Sequence, residues 1–137
     1  MDVFLTDDAE RSLKALSLLS GSGQCGYLIG HRRGPRVYVE AVIPAGKDHT
    51  FTVEQFHLLD TIYDERTVGF FFFGGEQSAK KRILQPFAYG KIVLEVRPGG
   101  RRAPALKAFS VEHDGRFTLS PVPLASSPEG RKAWAPS

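Results

Sequence analysis

Four histidines and one cysteine are the side chains best equipped for chemistry in this chain: His31, His49, His57, His113 and Cys25. No two of the histidines stand four apart on one helix, the spacing that brings two imidazoles to one metal ion. His49 and His57 flank a loop-to-helix junction, with Asp48 and Asp60 near them in sequence as carboxylate ligands for an unrelated metal site. Surface or capping roles are the ordinary alternative for such histidines. Cys25 begins an apolar stretch, where a cysteine behaves as a small hydrophobe. To act as a nucleophile it needs a histidine brought to it by the fold. A lone cysteine excludes an intramolecular disulfide and a cysteine-rich zinc site. Ser78 has no identifiable base in the sequence. Lys80, Lys81 and Arg82 follow Gly74 and Gly75, whose N–H groups could face an anion. The spacing fits no phosphate-loop motif.

The elements that must position these groups centre on residues 68–75, Val-Gly-Phe-Phe-Phe-Phe-Gly-Gly. As a strand, this run sends two rings to each face, so both faces are apolar and the strand belongs mid-sheet. It is too short to cross a membrane, which needs about 20 apolar residues. Left uncovered it would aggregate. Upstream, residues 3–5 read as a short strand. Thr6 reads as the N-cap of a helix over 7–19, with Ala9, Leu13, Leu16 and Leu19 inward. A hairpin follows, with strands at 26–30 and 36–43 around a polar turn at 31–35. Val37, Val39, Ala41 and Ile43 share one face of its second strand. Thr52 caps a second helix with Val53, Phe56, Leu59 and Tyr63 on one side. After the phenylalanines come a short basic helix ended by Pro86, an alternating strand at 90–97, and a hairpin around His113-Asp114-Gly115. The expected class is α/β, a mixed sheet flanked by helices, in one domain over 1–120. A Pro- and Ser-rich tail is expected over 121–137, with Trp134 as its one docking residue.

Composition fits this reading. Of 137 residues, 42% are hydrophobic and 24% charged, which are globular values. The formal net charge is +3, and the basic residues fall in separate clusters rather than a stripe. Nucleic acid is therefore not the expected partner. The first residues lack the basic start and apolar core of a signal peptide, so a cytoplasmic location is expected, with no membrane association.

Three stretches together resemble the MPN/JAB (JAMM) domain family. Cys25-Gly26-Tyr27-Leu28-Ile29-Gly30 is similar to its Cys-Gly-Leu-Leu-Leu-Gly strand, and residues 37–44 resemble the hairpin partner that leads to a Pro-rich loop. Val68-Gly69-Phe70-Phe71 stands where the family has Val-Gly-Trp-Tyr before its His-Ser-His-Pro. The strand at 91–96 suits the family's next core strand. The resemblance covers roughly residues 7–117 and implies an MPN/JAB-like, cytidine-deaminase-like architecture. Its enzymes hold zinc with two histidines and an aspartate, beside a glutamate that activates water. By the same alignment the histidine positions become Phe72 and Gly74, the glutamate becomes Gly23, and the aspartate position falls near Ser78 or Lys81. Phenylalanine and glycine side chains offer zinc no N, S or O donor, and without the glutamate there is no general base. The resemblance is thus to the metal-free MPN-minus class, whose members act as scaffolds. It implies no cofactor and no catalytic residue.

The expected function is a protein-interaction module with a protein partner or a second copy. The expected contact is an apolar patch of Phe73, Ile83, Leu84 and Phe87 rimmed by Lys80, Lys81 and Arg82. Two rival classes remain at this stage. One is a hydrolase with a relocated site using His49, His57 or Cys25. The other is a weak anion or nucleic-acid binder through Lys80, Lys81 and Arg82.

Overall fold

A computed structural model describes residues 1–20, 24–46, 49–74, 77–99 and 102–125. The strands are β1 (Asp2–Leu5), β2 (Cys25–Arg33), β3 (Arg36–Pro44), β4 (Thr67–Phe73), β5 (Ile92–Gly99), β6 (Arg102–His113), β7 (Phe117–Val122) and β8 (Leu124–Ala125). The helices are α1 (Asp7–Ser20), α2 (Val53–Ile62) and α3 (Gln77–Ile83), with a short 3-10 turn at Pro86–Ala88. All eight strands join one mixed sheet in the order β7-β6-β5-β4-β2-β3-β1-β8.

The phenylalanine strand lies at the centre, antiparallel to β2 and parallel to β5. Its rings divide between two cores. Phe71 and Phe73 join Val3, Leu13, Leu28 and Leu94 on one face. Phe70 and Phe72 join Cys25, Tyr27, Phe51 and Phe56 on the other. Each fully buried ring contributes about 1.5–3 kcal/mol relative to exposure. Gly69 is required between these layers, because a Cβ there would clash with the carbonyl oxygen of Ile92 on β5.

The first core lies inside a curl of the sheet. β7 and β8 are opposite ends of the strand order, yet only Pro123 separates them in the chain. Two residues span at most about 7 Å, so the sheet's ends meet and the barrel is nearly closed. β8 runs parallel to β1, with Val3 opposite Leu124, and the Val3 N–H donates to the Pro123 carbonyl at 2.9 Å. α1 covers this interior with Ala9 and Leu13 fully buried and Leu16 packed beside them. Thr6 starts the helix as its N-cap, Oγ1 accepting from the Ala9 N–H at 3.2 Å. Asp7, Asp8 and Glu10 oppose the positive end of its dipole. α2 covers the outer face through Phe56, and its N-cap Thr52 accepts from the Gln55 N–H at 3.2 Å. α3 adds Ile83 to the same outer core.

Several sequence expectations change here. The hairpin strands are longer than expected, and the turn at 31–35 shrinks to Gly34-Pro35 between Arg33 and Arg36. Val37, Val39, Ala41 and Ile43 do not share a face. Gly30 pairs with Val39 and Ile29 with Ala41, so Glu40 is an inserted residue and the alternation inverts after it. Val37, Val39 and Val42 therefore meet the first core, while Ile43 meets the second. A second shift, between Leu28 and Ile29, leaves Val68 as the extra residue on β4. The sheet also continues past the expected domain end at residue 120, to Ala125. Residues 126–137, with Trp134, lie outside the described residues, as do Gly23 and Gly75. The side chains of Leu19 and Ser78 are likewise outside them.

Candidate functional site

The amino-terminal end of β2 and the carboxy-terminal end of β4 are neighbours, and the chemically capable residues gather there. Cys25 stands opposite Phe72, and the Phe73 N–H donates to the Gln24 carbonyl at 2.9 Å. Strand alternation then puts Cys25 and Tyr27 on the outer face, together with Phe70 and Phe72. The segment that follows β3 folds back over this face. Its Ala45 N–H donates to the Cys25 carbonyl at 2.9 Å, and the Cys25 thiol donates to the Gly46 carbonyl at 3.1 Å. Gly46 has φ of 100°, a conformation that favours glycine.

His49 enters the same face. Its Nε2 lies 2.7 Å from the Tyr27 hydroxyl oxygen, and its ring meets Tyr27 and Phe51 edge-on. Burial, with a smaller contribution from the Arg82 charge, holds the His49 imidazole below the ordinary histidine pKa. Burial and the neighbouring Cys25 push the Tyr27 phenol up to about 12. A protonated phenol beside a neutral imidazole makes Tyr27 the donor and Nε2 the acceptor. Arg82 on α3 donates from Nε to the His49 carbonyl at 2.8 Å. Gln85 donates to the carbonyls of Phe51 at 2.8 Å and of Arg82 at 2.5 Å. Those bonds tie α3, the covering segment and β2 together.

The predicted residues do not assemble as expected. Phe73 is fully buried, and it sits in the inner core while Ile83, Leu84 and Phe87 sit on the outer side. The sheet separates them. Ile83 is also buried, and Leu84 and Phe87 are half-buried against the outer core. The proposed patch therefore does not exist as one surface. Its basic rim is also divided: Lys81 is exposed and Lys80 half-exposed, while Arg82 turns to the His49 backbone. Alternation explains the error, because a strand with both faces covered cannot present its last ring to solvent. His57 lies on the exposed surface of α2, apart from the bond between Tyr27 and His49. His113 stacks at a tilt on Phe117 at the β6–β7 turn, centroids 4.6 Å apart. Among the described residues, no three His, Cys, Asp or Glu side chains are grouped to hold a metal ion. Of the relocated-site residues, Cys25 and His49 are brought to one face, where their described bonds go to Gly46 and Tyr27.

The positions that the sequence aligned with zinc ligands are occupied by packing. Phe72 is 4% exposed within the outer core. A Cβ at Gly74 would come within 2.8 Å of Arg97 Cγ, so a larger residue needs that arginine to move.

A different surface stands out on the outer side. Six large hydrophobic residues are exposed among the described residues, and four of them, Val53, Leu58, Ile62 and Tyr89, belong to α2 or follow the 3-10 turn. Leu58 and Ile62 are 64% and 63% exposed and four residues apart, so they share one flank of the helix. At the other end of the helix is a cavity of about 570 Å³ between the α2 amino terminus and residues 85–87, lined by Phe51, Val53, Pro86 and Phe87 among others. Sequence reasoning missed this face because it assigned Val53 to the buried stripe. The helix turns Phe56, Leu59 and Tyr63 inward and leaves Val53 at the margin. Two apolar residues at i, i+4 off the core stripe were the available signal.

No family model matches the chain, and no curated protein matches it. Among solved structures it is similar to the solution structure of protein DSY2949 from Desulfitobacterium hafniense. The TM-score is 0.61 at 21% identity, over 93% of this chain and 96% of that one. It is also similar to the solution structure of a protein from Salinibacter ruber. There the TM-score is 0.56 at 17% identity, over 88% of this chain and 90% of that one. At such identities the likeness establishes a shared fold. Among the described residues, no helix is long and apolar enough to cross a membrane.

Proposed function

We propose that this chain is a metal-free MPN/JAB-like domain, of cytidine-deaminase-like architecture, that works by binding another protein through the α2 face. The observation that carries the binding reading is the pair of exposed apolar side chains on one flank of α2, Leu58 and Ile62. Two features support the family reading. The strand resembling the family's Cys-Gly strand lies directly beside the one resembling its Val-Gly strand. Gln24, next to the aligned glutamate position, meets Phe73, between the two aligned histidine positions. Residues that share a metal site in an enzyme would have to converge in this way. Here the converging side chains are a packed ring and a glycine, which suits a scaffold rather than a hydrolase.

The partner is a different protein with an apolar centre and a rim of mixed charge. The chain carries a net charge of +3, and Lys80 and Lys81 on α3 and Lys91 next to β5 are on the α2 side of the sheet or at its border. Glu54 on α2 and Asp64 and Glu65 just after it are exposed as well, so the face carries both signs of charge and a complementary partner does too. The test is reconstitution with a protein that co-purifies at one-to-one stoichiometry. Leu58→Glu with Ile62→Glu should weaken that purified complex at least about tenfold, or about 1.4 kcal/mol. Leu18→Glu, on exposed α1 surface, should leave it unchanged. A complex that survives the double substitution, or a chain that only pairs with itself, overturns the proposal.

A further inference from the structure

Pro86 stands as a ridge between two hollows on the outer side and borders both. One, of about 570 Å³, has Phe51, Val53, Glu54 and Phe87 in its lining. The other, of about 310 Å³, is lined by Tyr89, His113 and Phe117. Their walls are held from beneath. Phe87 stacks on Phe56 with centroids 5.4 Å apart, His113 leans on Phe117 at 4.6 Å, and Gln85 Nε2 donates to the Phe51 carbonyl at 2.8 Å. Val53 and Tyr89 remain 43% and 58% exposed. We propose that this double hollow binds a proline-rich segment in the polyproline II conformation, with a basic residue at its Glu54 end. The site lies at the amino-terminal end of α2, apart from Leu58 and Ile62, and is a second contact beyond the one proposed there.

The class of ligand follows from what the ridge lacks and what the walls supply. Pro86 has no N–H, and the N–H groups of Ala88, Tyr89 and Gly90 are bound to the carbonyls of Gln85, Pro86 and Val111 at 2.9, 3.2 and 3.1 Å. A ligand that adds as a β-strand needs a run of free backbone groups, so recognition here falls to side chains. Two hollows parted by a ridge take two separate apolar groups. In polyproline II every third residue returns to the same side, about 9 Å along, and its proline rings pack on aromatic walls of this kind. Its backbone makes no internal hydrogen bonds, so its carbonyls need outside donors. Thr50 and Tyr89, both exposed and one in each lining, carry hydroxyls that donate. A helical ligand has bonded its own carbonyls and has no use for them. Charge sets the last feature. Among the described lining residues Glu54 is the one carboxylate, and no Lys or Arg lines either hollow. The turn beyond His113 adds one exposed charge of each sign, Asp114 and Arg116. A basic side chain is therefore complementary at the Glu54 end.

Two fluorescein-labelled peptides, Pro-Pro-Leu-Pro-Pro-Arg and Arg-Pro-Pro-Leu-Pro-Pro, cover both chain directions. Titrated with the full chain and followed by anisotropy, at least one should saturate with a Kd below about 1 mM. Tyr89→Ala and Val53→Glu should each weaken that binding at least about fivefold, the mark of contacts that binding depends on. Both positions are exposed, and circular dichroism checks that the variants fold; Tyr89→Ser replaces the alanine variant if that one does not. The same peptide with its prolines changed to alanine should bind at least about fivefold more weakly. Glu54→Gln should weaken the arginine peptide and leave a glutamine-ended counterpart unchanged. Leu18→Glu, on exposed α1 surface, should have no effect. Neither peptide saturating, equal binding of the alanine peptide, or binding that Tyr89→Ala and Val53→Glu leave intact overturns the proposal. An arginine preference that Glu54→Gln does not reduce overturns the assignment of the basic end.

Discussion

At the scale of single residues, the decisive feature is that consecutive phenylalanines serve opposite cores. Phe70 packs on the outer face against Phe51, with centroids 5.5 Å apart, and against Phe87 at 5.9 Å. Phe71 packs on the inner face beside Phe73 at 6.2 Å. Both rings have no exposed surface. Phe70→Ala and Phe71→Ala should each lower unfolding free energy by about 3–5 kcal/mol, the range for a buried phenylalanine cut to alanine. Denaturant midpoints for the two proteins check this. A near wild-type midpoint for either one means that its face is not a closed core. Phe72 illustrates why the site was partly legible. Residue type alone removes it as a ligand, and position in the strand predicts its burial. The residues that share its core, Tyr27, Phe51 and Ile83 among them, come from β2, the segment before α2, and α3. No local pattern relates them.

At the scale of elements, the inserted residue Glu40 joins pieces that sequence periodicity treats as separate. Its carboxylate oxygen lies 2.7 Å from His31 Nδ1 and 2.7 Å from an Arg66 guanidinium nitrogen. Its carbonyl accepts from the Thr6 hydroxyl at 3.3 Å. β2, β3, the start of α1 and the entry to β4 are fixed together there. Burial raises the carboxyl pKa, but the hydrogen bonds from His31 and Arg66 and their charges outweigh it and hold Glu40 below its ordinary 4.5. A lowered folded-state pKa stabilises the fold above the unfolded value, and that gain disappears as pH falls through the folded value. Glu40→Gln should therefore cost about 1 kcal/mol at neutral pH, allowing for its partial exposure. The difference from wild type should shrink as pH falls below 4.5. A difference that stays constant to strongly acid pH would mean that charge is not what holds the insertion. Helices were readable in sequence because Thr6 and Thr52 cap them and their apolar residues recur at helical spacing. Central placement of the phenylalanine strand was readable for the same kind of reason. The insertion was not. A bulge depends on which partner residue faces which, and a strand's own sequence does not record its register.

At the scale of the whole molecule, closure of the sheet rests on a short seam. Leu124 packs on the inner core, and β8 supplies β1 with its second neighbour. Two chains, one ending after Ala125 and one after Val122, isolate that seam. The shorter should be less stable by about 2–3 kcal/mol, from the lost burial of Leu124 and the lost backbone bonds. Equal denaturant midpoints would show that the curl holds without its last strand. The expected boundary at residue 120 failed here because Pro121 and Pro123 read as the start of a tail. They instead occupy the ends of the curl, where an edge strand tolerates proline. The seam also sets a schedule for synthesis. Val3 leaves the ribosome 121 residues ahead of its neighbour Leu124. Contacts so distant in sequence form slowly, because the intervening chain must be ordered first. Until β8 arrives, one edge of β1 has no strand beside it, and the inner core with Phe71 and Phe73 is enclosed on fewer sides. That interval, before β8 is made, is when a nascent chain of this protein is most exposed to pairing with its neighbour.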